Sequence, residues 1–222
     1  MIYPKVQSAV NAALQAFSTQ TGFDAASLKN ELQTVFSSDK DFLGKVELLD
    51  QAFDDNPRTD VLREVFFDLL LINFFSADIK KLDEDYLESE EWAQIEEDTI
   101  DRGTELLNLL LYLNECEDEA IEPGLEDYLK EFLLVDEDEF QDEHRIYEPV
   151  IANQILMESP VSEIAKVAKS LPEDSELKEI FYPMMAYFHD IDPSAEAKKE
   201  VAGNAVNPEF DLPVYEILTN FK

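Results

Sequence analysis

Val65-Phe66-Phe67-Asp68-Leu69-Leu70-Leu71-Ile72-Asn73-Phe74-Phe75 is the stretch that decides the fold. As a helix it is apolar on nearly every side, so it must lie in a core with other helices around it. A short run rich in Phe and Ile also fits a buried strand. Asp60, Arg63 and Glu64, just before it, lengthen the segment and favour the helix. Eleven residues that include Asp68 and Asn73 do not span a membrane, which takes about twenty.

Working outward, Asn56 and Pro57 read as the N-cap and first-turn proline of this helix. Upstream, Phe42, Val46, Leu49 and Phe53 recur at helical spacing, as do Leu28, Leu32, Val35 and Phe36 behind an Asp24 cap. Pro4 opens a first helix carrying Val6, Val10, Leu14 and Phe17, and Gly22 closes the connection after it. Downstream, Pro123 starts a helix with Leu125, Tyr128, Leu129, Phe132 and Leu133 on its inner face. Ser159 and Pro160 read as cap and first turn for Val161, Ile164, Ala165, Ala168 and Leu171. Leu177, Ile180, Phe181, Met184, Met185 and Phe188 mark a helix with Pro183 inside it, a kink position. Asp192 and Pro193 open a short helix ending near Gly203, and Asp211 to Phe221 reads as a last docked helix. No run alternates at period two. The reading is all-α: one helical domain over residues 1–222, an irregular multi-helix bundle of about nine to eleven helices, with an array of helical hairpins as the alternative.

Glu84-Asp85-Tyr86-Leu87 recurs as Glu126-Asp127-Tyr128-Leu129, each copy after a Leu triplet. The spacing suits paired-helix units. A chain so rich in Glu, Asp and Leu supplies about one such match by chance, and there is no third copy.

The composition is dominated by charge: 51 Asp or Glu against 17 Lys or Arg, a net −34 over 222 residues. The 45% of hydrophobic residues separates the chain from disordered acidic tails. The surplus is concentrated, because residues 83–148 hold 26 acids against three bases, a balance of −23. Tyr86, Leu87, Trp92, Ile95, Ile100, Leu106, Leu107, Leu110 and Leu111 keep a helical rhythm through this segment, so its acids are expected to face outward. Nucleic-acid backbones need clustered Lys and Arg, and anionic membranes repel such a chain, so neither is expected as a partner. The five glycines lie too far apart to share a phosphate-binding loop. The single Cys116 excludes an intramolecular disulfide and a multi-Cys zinc site; beside Glu115, Glu117 and Asp118 its thiolate is disfavoured. With no signal-peptide pattern at the start, the cytoplasm is the expected compartment.

Candidate chemistry is sparse. His144 with Asp142 and Glu143, and His189 with Asp190 and Asp192, are the weak metal candidates. The residues three before each histidine are Gln141 and Ala186, so the Glu-x-x-His bundle pattern is absent. His189 also reads as a helix C-terminal imidazole, and His144 as a residue of an exposed acidic surface. The densest acidic run, Asp136, Glu137, Asp138 and Glu139 with Asp142 and Glu143, fails the EF-hand pattern, since Phe140 stands at the fifth position. There is no nucleophile elbow and no Cys and His grouping. No catalytic residue and no cofactor is expected. The leading expectation is a non-enzymatic module whose acidic central face, Asp136–Glu139 with Asp142 and Glu143, binds a basic protein. Tyr86, Trp92, Tyr112, Tyr128 and Tyr147 either contribute to that surface or belong to the core, and spacing favours the core for Tyr86, Trp92 and Tyr128. The alternatives are a metal-dependent hydrolase using His144 and His189, and an acidic surface that serves solubility only.

Overall fold

The computed structural model describes residues 2–79, 86–132 and 140–221, without the side chains of 132 and 140–143. Among the described residues the chain is all helical: twelve α-helices, short 3-10 and π turns, and no strand. No helix among them is long and apolar enough to cross a membrane. The chain forms two compact units, Met1–Leu107 and Asn108–Lys222.

The first unit contains α1 (Pro4–Thr21), α2 (Ala26–Ser37), α3 (Phe42–Asp55), α4 (Arg63–Asn73) and α5 (Glu90–Thr99). The Val65–Phe75 run is α4 and the π turn Phe74–Asp78 that continues it. Val65, Phe66, Phe67, Leu69, Leu70 and Ile72 are all buried, and α4 packs against α1 and α3. Pro4 stands in the first turn of α1, and Gly22 ends that helix in the left-handed region at φ 69°. Asp41 caps α3 by accepting the Gly44 N–H at 2.9 Å.

Asn56 stands at the N-cap of a 3-10 turn with Pro57 in its first position, but its side chain makes no capping bond. Its Nδ2 donates to Glu31 and to the Ala52 carbonyl, which ties down the end of α3. The turn runs over Pro57–Leu62, and α4 begins only at Arg63. Two charged side chains are buried with α4. Lys45 from α3 meets Asp78 of the π turn at 2.6 Å. Asp68 is fully buried and accepts both the N–H (3.0 Å) and the hydroxyl (2.6 Å) of Thr104.

The second unit contains α6 (Leu106–Asp118, whose first two residues belong to the first unit), α7 (Leu125–Phe132), α8 (Phe140–Ile151), α9 (Val161–Ser170), α10 (Lys178–His189), α11 (Ala195–Asn204) and α12 (Pro208–Asn220). Its core is α10, which is buried from Ile180 to Tyr187 and packs against α9 and α12. Pro183 lies inside α10. Helix starts here differ from expectation in two places. The Ser159 hydroxyl donates to Ile155, so Pro160 rather than a serine stands at the N-cap of α9. Ser194, not Asp192, caps α11, accepting the Ala197 N–H at 3.2 Å.

The twelve helices slightly exceed the nine to eleven expected, the split of the acidic segment into α5 to α8 accounting for most of the excess. The repeated tetrapeptide takes unlike structures. Tyr86 and Leu87 start a 3-10 turn, whereas Tyr128 and Leu129 lie within α7. Glu84 and Asp85 lie outside the described residues.

Candidate functional site

In the first unit, α5 rests on the core through the buried Ile95 alone, with Trp92 half-buried. Ser89 caps it by accepting the Trp92 N–H at 3.1 Å. Trp92 stacks on Phe74 at 5.9 Å and also meets Phe75 and Tyr86, so the aromatics here build the underside of the helix. Everything charged on this stretch faces out: Glu88, Glu90, Glu91, Glu96, Glu97, Asp98 and Asp101 are exposed. Two apolar side chains stand among them, Leu87 at 51% and Ile100 at 81% exposure.

The only base of residues 86–107, Arg102, points the other way. Its guanidinium takes Asp50 through both Nη atoms at 3.1 and 3.0 Å and Glu64 through Nε at 3.0 Å, and it lies 4.8 Å over the Phe67 ring. Burial lowers the Arg102 pKa, but hydrogen bonds and charge attraction from Glu64 and Asp50 outweigh it, and the net shift is upward. Glu64 also accepts the Gly103 N–H at 2.8 Å. Gly103 has φ +86°, and a Cβ there would lie 2.5 Å from Asp68 Oδ1, so only glycine fits. Burial pushes Asp68 well above the ordinary carboxylate range, against the lowering effect of the Thr104 bonds. The 101–104 connection is thus fastened to α3 and α4 by three carboxylates, with Asp101 its exposed charge.

In the second unit, α6 and α7 form a hairpin with the same division. Tyr112 and Tyr128 are buried, as is Tyr147 of α8, whose hydroxyl meets that of Tyr128 at 2.9 Å. Tyr112 and Tyr147 are therefore core residues too. The Tyr112 hydroxyl donates to the Gly124 carbonyl at 3.1 Å and accepts the Gly124 N–H at 3.0 Å, pinning the hairpin turn. Outside stand Glu115, Glu117, Asp118, Glu119, Glu122, Glu126, Asp127 and Glu131. Lys130 pairs with its own neighbours Glu126 and Asp127. Partial burial, then a hydrogen bond and repulsion from Glu115 and repulsion from Glu119, raise the Glu131 pKa. Burial pushes the Cys116 thiol up, and Glu131, Glu115 and Glu119 add to the shift. A buried thiol with its pKa raised holds little thiolate.

The metal candidates around His189 do not assemble among the described residues. His189 ends α10 with Nε2 2.9 Å from the Ser159 carbonyl, the helix-terminal role its position implies. Asp190 follows as the C-cap, Asp192 is exposed in the next connection, and His144 is exposed on α8. Among the described residues no three His, Cys, Asp or Glu side chains are grouped to hold a metal ion. Asp136, Glu137, Asp138 and Glu139, and the side chains of Asp142 and Glu143, lie outside the described residues. None of the protein-family models, curated proteins or solved structures compared with the chain matches it.

Proposed function

We propose that the chain is a non-enzymatic interaction module that binds a basic protein through acidic helical surfaces. The observation that carries this reading is the surface of α5 and its flanks. Seven exposed carboxylates share this stretch with an exposed Leu87 at one end and an exposed Ile100 at the other, while Arg102 is turned into the unit. Glu90, Glu96 and Glu97 form no ion pair among the described residues. Exposed apolar residues interspersed with one sign of charge suit a partner that brings the opposite sign together with apolar contacts. The α6–α7 hairpin offers a second surface of the same chemistry.

Long-range attraction of this kind speeds encounter and weakens with salt. The test is a titration with a Lys- and Arg-rich polypeptide at low and physiological salt, comparing two triple variants. Glu90→Gln/Glu96→Gln/Glu97→Gln is expected to weaken binding at least tenfold. Glu47→Gln/Glu196→Gln/Glu209→Gln removes equal charge elsewhere and is expected to change it little. Equal losses in both variants would mean that bulk charge alone acts, and the interaction reading would fail in favour of a solubility role.

A further inference from the structure

The second unit has a cleft of about 540 Å³ among α9, the connection to α10, α10 itself and the start of α12. Ala168, Val206 and Phe210 give it apolar walls, and Glu173, Glu176 and Glu179 are exposed members of its lining. Asp211 lines it too and is only 2% exposed. One oxygen, Oδ2, accepts the Val206 and Asn207 N–H groups at 2.6 and 2.8 Å. Among the described residues no cation pairs with this carboxylate.

Two cations, Lys169 and Lys178, also line the cleft, and neither pairs with Asp211. Lys178 donates to the Leu171 carbonyl and to Glu173, and Lys169 is exposed at the end of α9. The Tyr182 hydroxyl, also at the cleft, donates to the Val201 carbonyl at 2.6 Å. An ionised carboxylate held in an apolar setting without a counter-charge is costly, and a cation that reaches it removes the cost. The open cleft supplies the route.

We infer that this cleft binds an alkylammonium or alkylguanidinium group, its charged head on Asp211 and its aliphatic stem along Ala168 and Phe210. The walls suit a stem that is apolar up to its charged tip, and Glu176 and Glu179, which the Lys178–Glu173 pair leaves aside, draw cations toward the entrance. A free aliphatic amine and a Lys or Arg side chain share this chemistry. The cleft lies outside residues 83–148, so the inference stands apart from the proposed function.

The test is a titration followed by amide NMR at about pH 7.5, where Asp211 is ionised. Probes are n-butylamine, n-butylguanidine and N-acetyl-lysine methylamide, with n-butanol as the uncharged control. Saturable shifts are expected at the Val206 and Asn207 amides with the cationic probes and none with butanol. The tighter of the free amine and the capped lysine identifies the source of the head group. Asp211→Asn keeps an oxygen for both N–H groups and is expected to weaken binding roughly tenfold or more. Glu179→Lys, an exposed change that leaves Asp211 in place, brings a competing cation and is expected to weaken it as well. Glu209→Gln, exposed on α12 and outside the cleft, should change affinity less than twofold. Shifts that never saturate, that spread evenly over the acidic surfaces, or that persist in both Asp211→Asn and Glu179→Lys would overturn the inference.

Discussion

Asp211 also makes the second unit sensitive to pH in an unusual direction. Burial raises its pKa from 3.8 to about 6, even though the Asn207 and Val206 amides pull it down. One pKa unit is about 1.4 kcal/mol, so ionised Asp211 costs the folded unit about 3 kcal/mol. The sign follows from which state holds the proton more tightly. Folded Asp211 does, so the penalty is absent below pH 3.8, grows as pH rises, and is complete above about pH 6. Lowering the pH from about 7.5 to about 5 should recover roughly 1.4 kcal/mol of it, still above the pI of 4.1. Asn carries no such proton, so Asp211→Asn should lack this component. Native-state hydrogen exchange of the α12 amides reads the second unit by itself. The difference in opening free energy between wild type and Asp211→Asn should shift by about that amount over the range, with wild type gaining on acidification. Parallel curves, or a wild type that loses ground, would refute the assignment of a desolvated carboxylate. Asp68 pushes the first unit in the same direction, which is why the variant and not the raw slope is decisive.

Three further outcomes follow from the packing. Gly103→Ala combines an unfavourable φ with a clash on Asp68 and should destabilise the first unit by about 2–4 kcal/mol, whereas Gly22→Ala, with nothing near its Cβ, should cost about 1 kcal/mol; similar thermal shifts for the two would contradict this. Phe66→Ala empties the centre of the first unit and should cost about 3–5 kcal/mol in urea unfolding. Cys116 should react with a disulfide reagent far more slowly than a free thiol at pH 8, and become fast once urea opens the second unit; rapid labelling of the native chain would contradict its burial.

Much of the helical order was readable because each helix carries its own periodicity and boundary residue. Pro4, Gly22 and the apolar rows of α1 to α4 act locally, and local rules find them. The buried charges obey no such rule. Asp68 stands out as an acid in an apolar run, but its partner Thr104 is 36 residues away, and nothing nearby in sequence points to it. Asp50, Glu64 and Arg102 meet for the same non-local reason. Asn56 and Ser159 looked like caps, yet each hydroxyl or amide found a carbonyl one turn back. Tyr112 and Tyr147 were ambiguous because acidic neighbours resemble a surface, although alternate sides of one helix carry the two characters. In sequence Asp211 is only the beginning of a helical tail; its burial comes with the packing of α12 against α10.

Arg102 has a consequence in proteolysis. From residue 82 to residue 129 it is the only position after which trypsin can cut, and its guanidinium is bound to Asp50 and Glu64 while the next residue's N–H is held by Glu64. A protease must have an extended, accessible strand, so the Arg102–Gly103 bond is cut only when the connection lets go of α3 and α4. The rate at which that single cut appears is a built-in clock for local opening of the first unit, readable on a gel without labels, and Gly103→Ala should make the clock run fast.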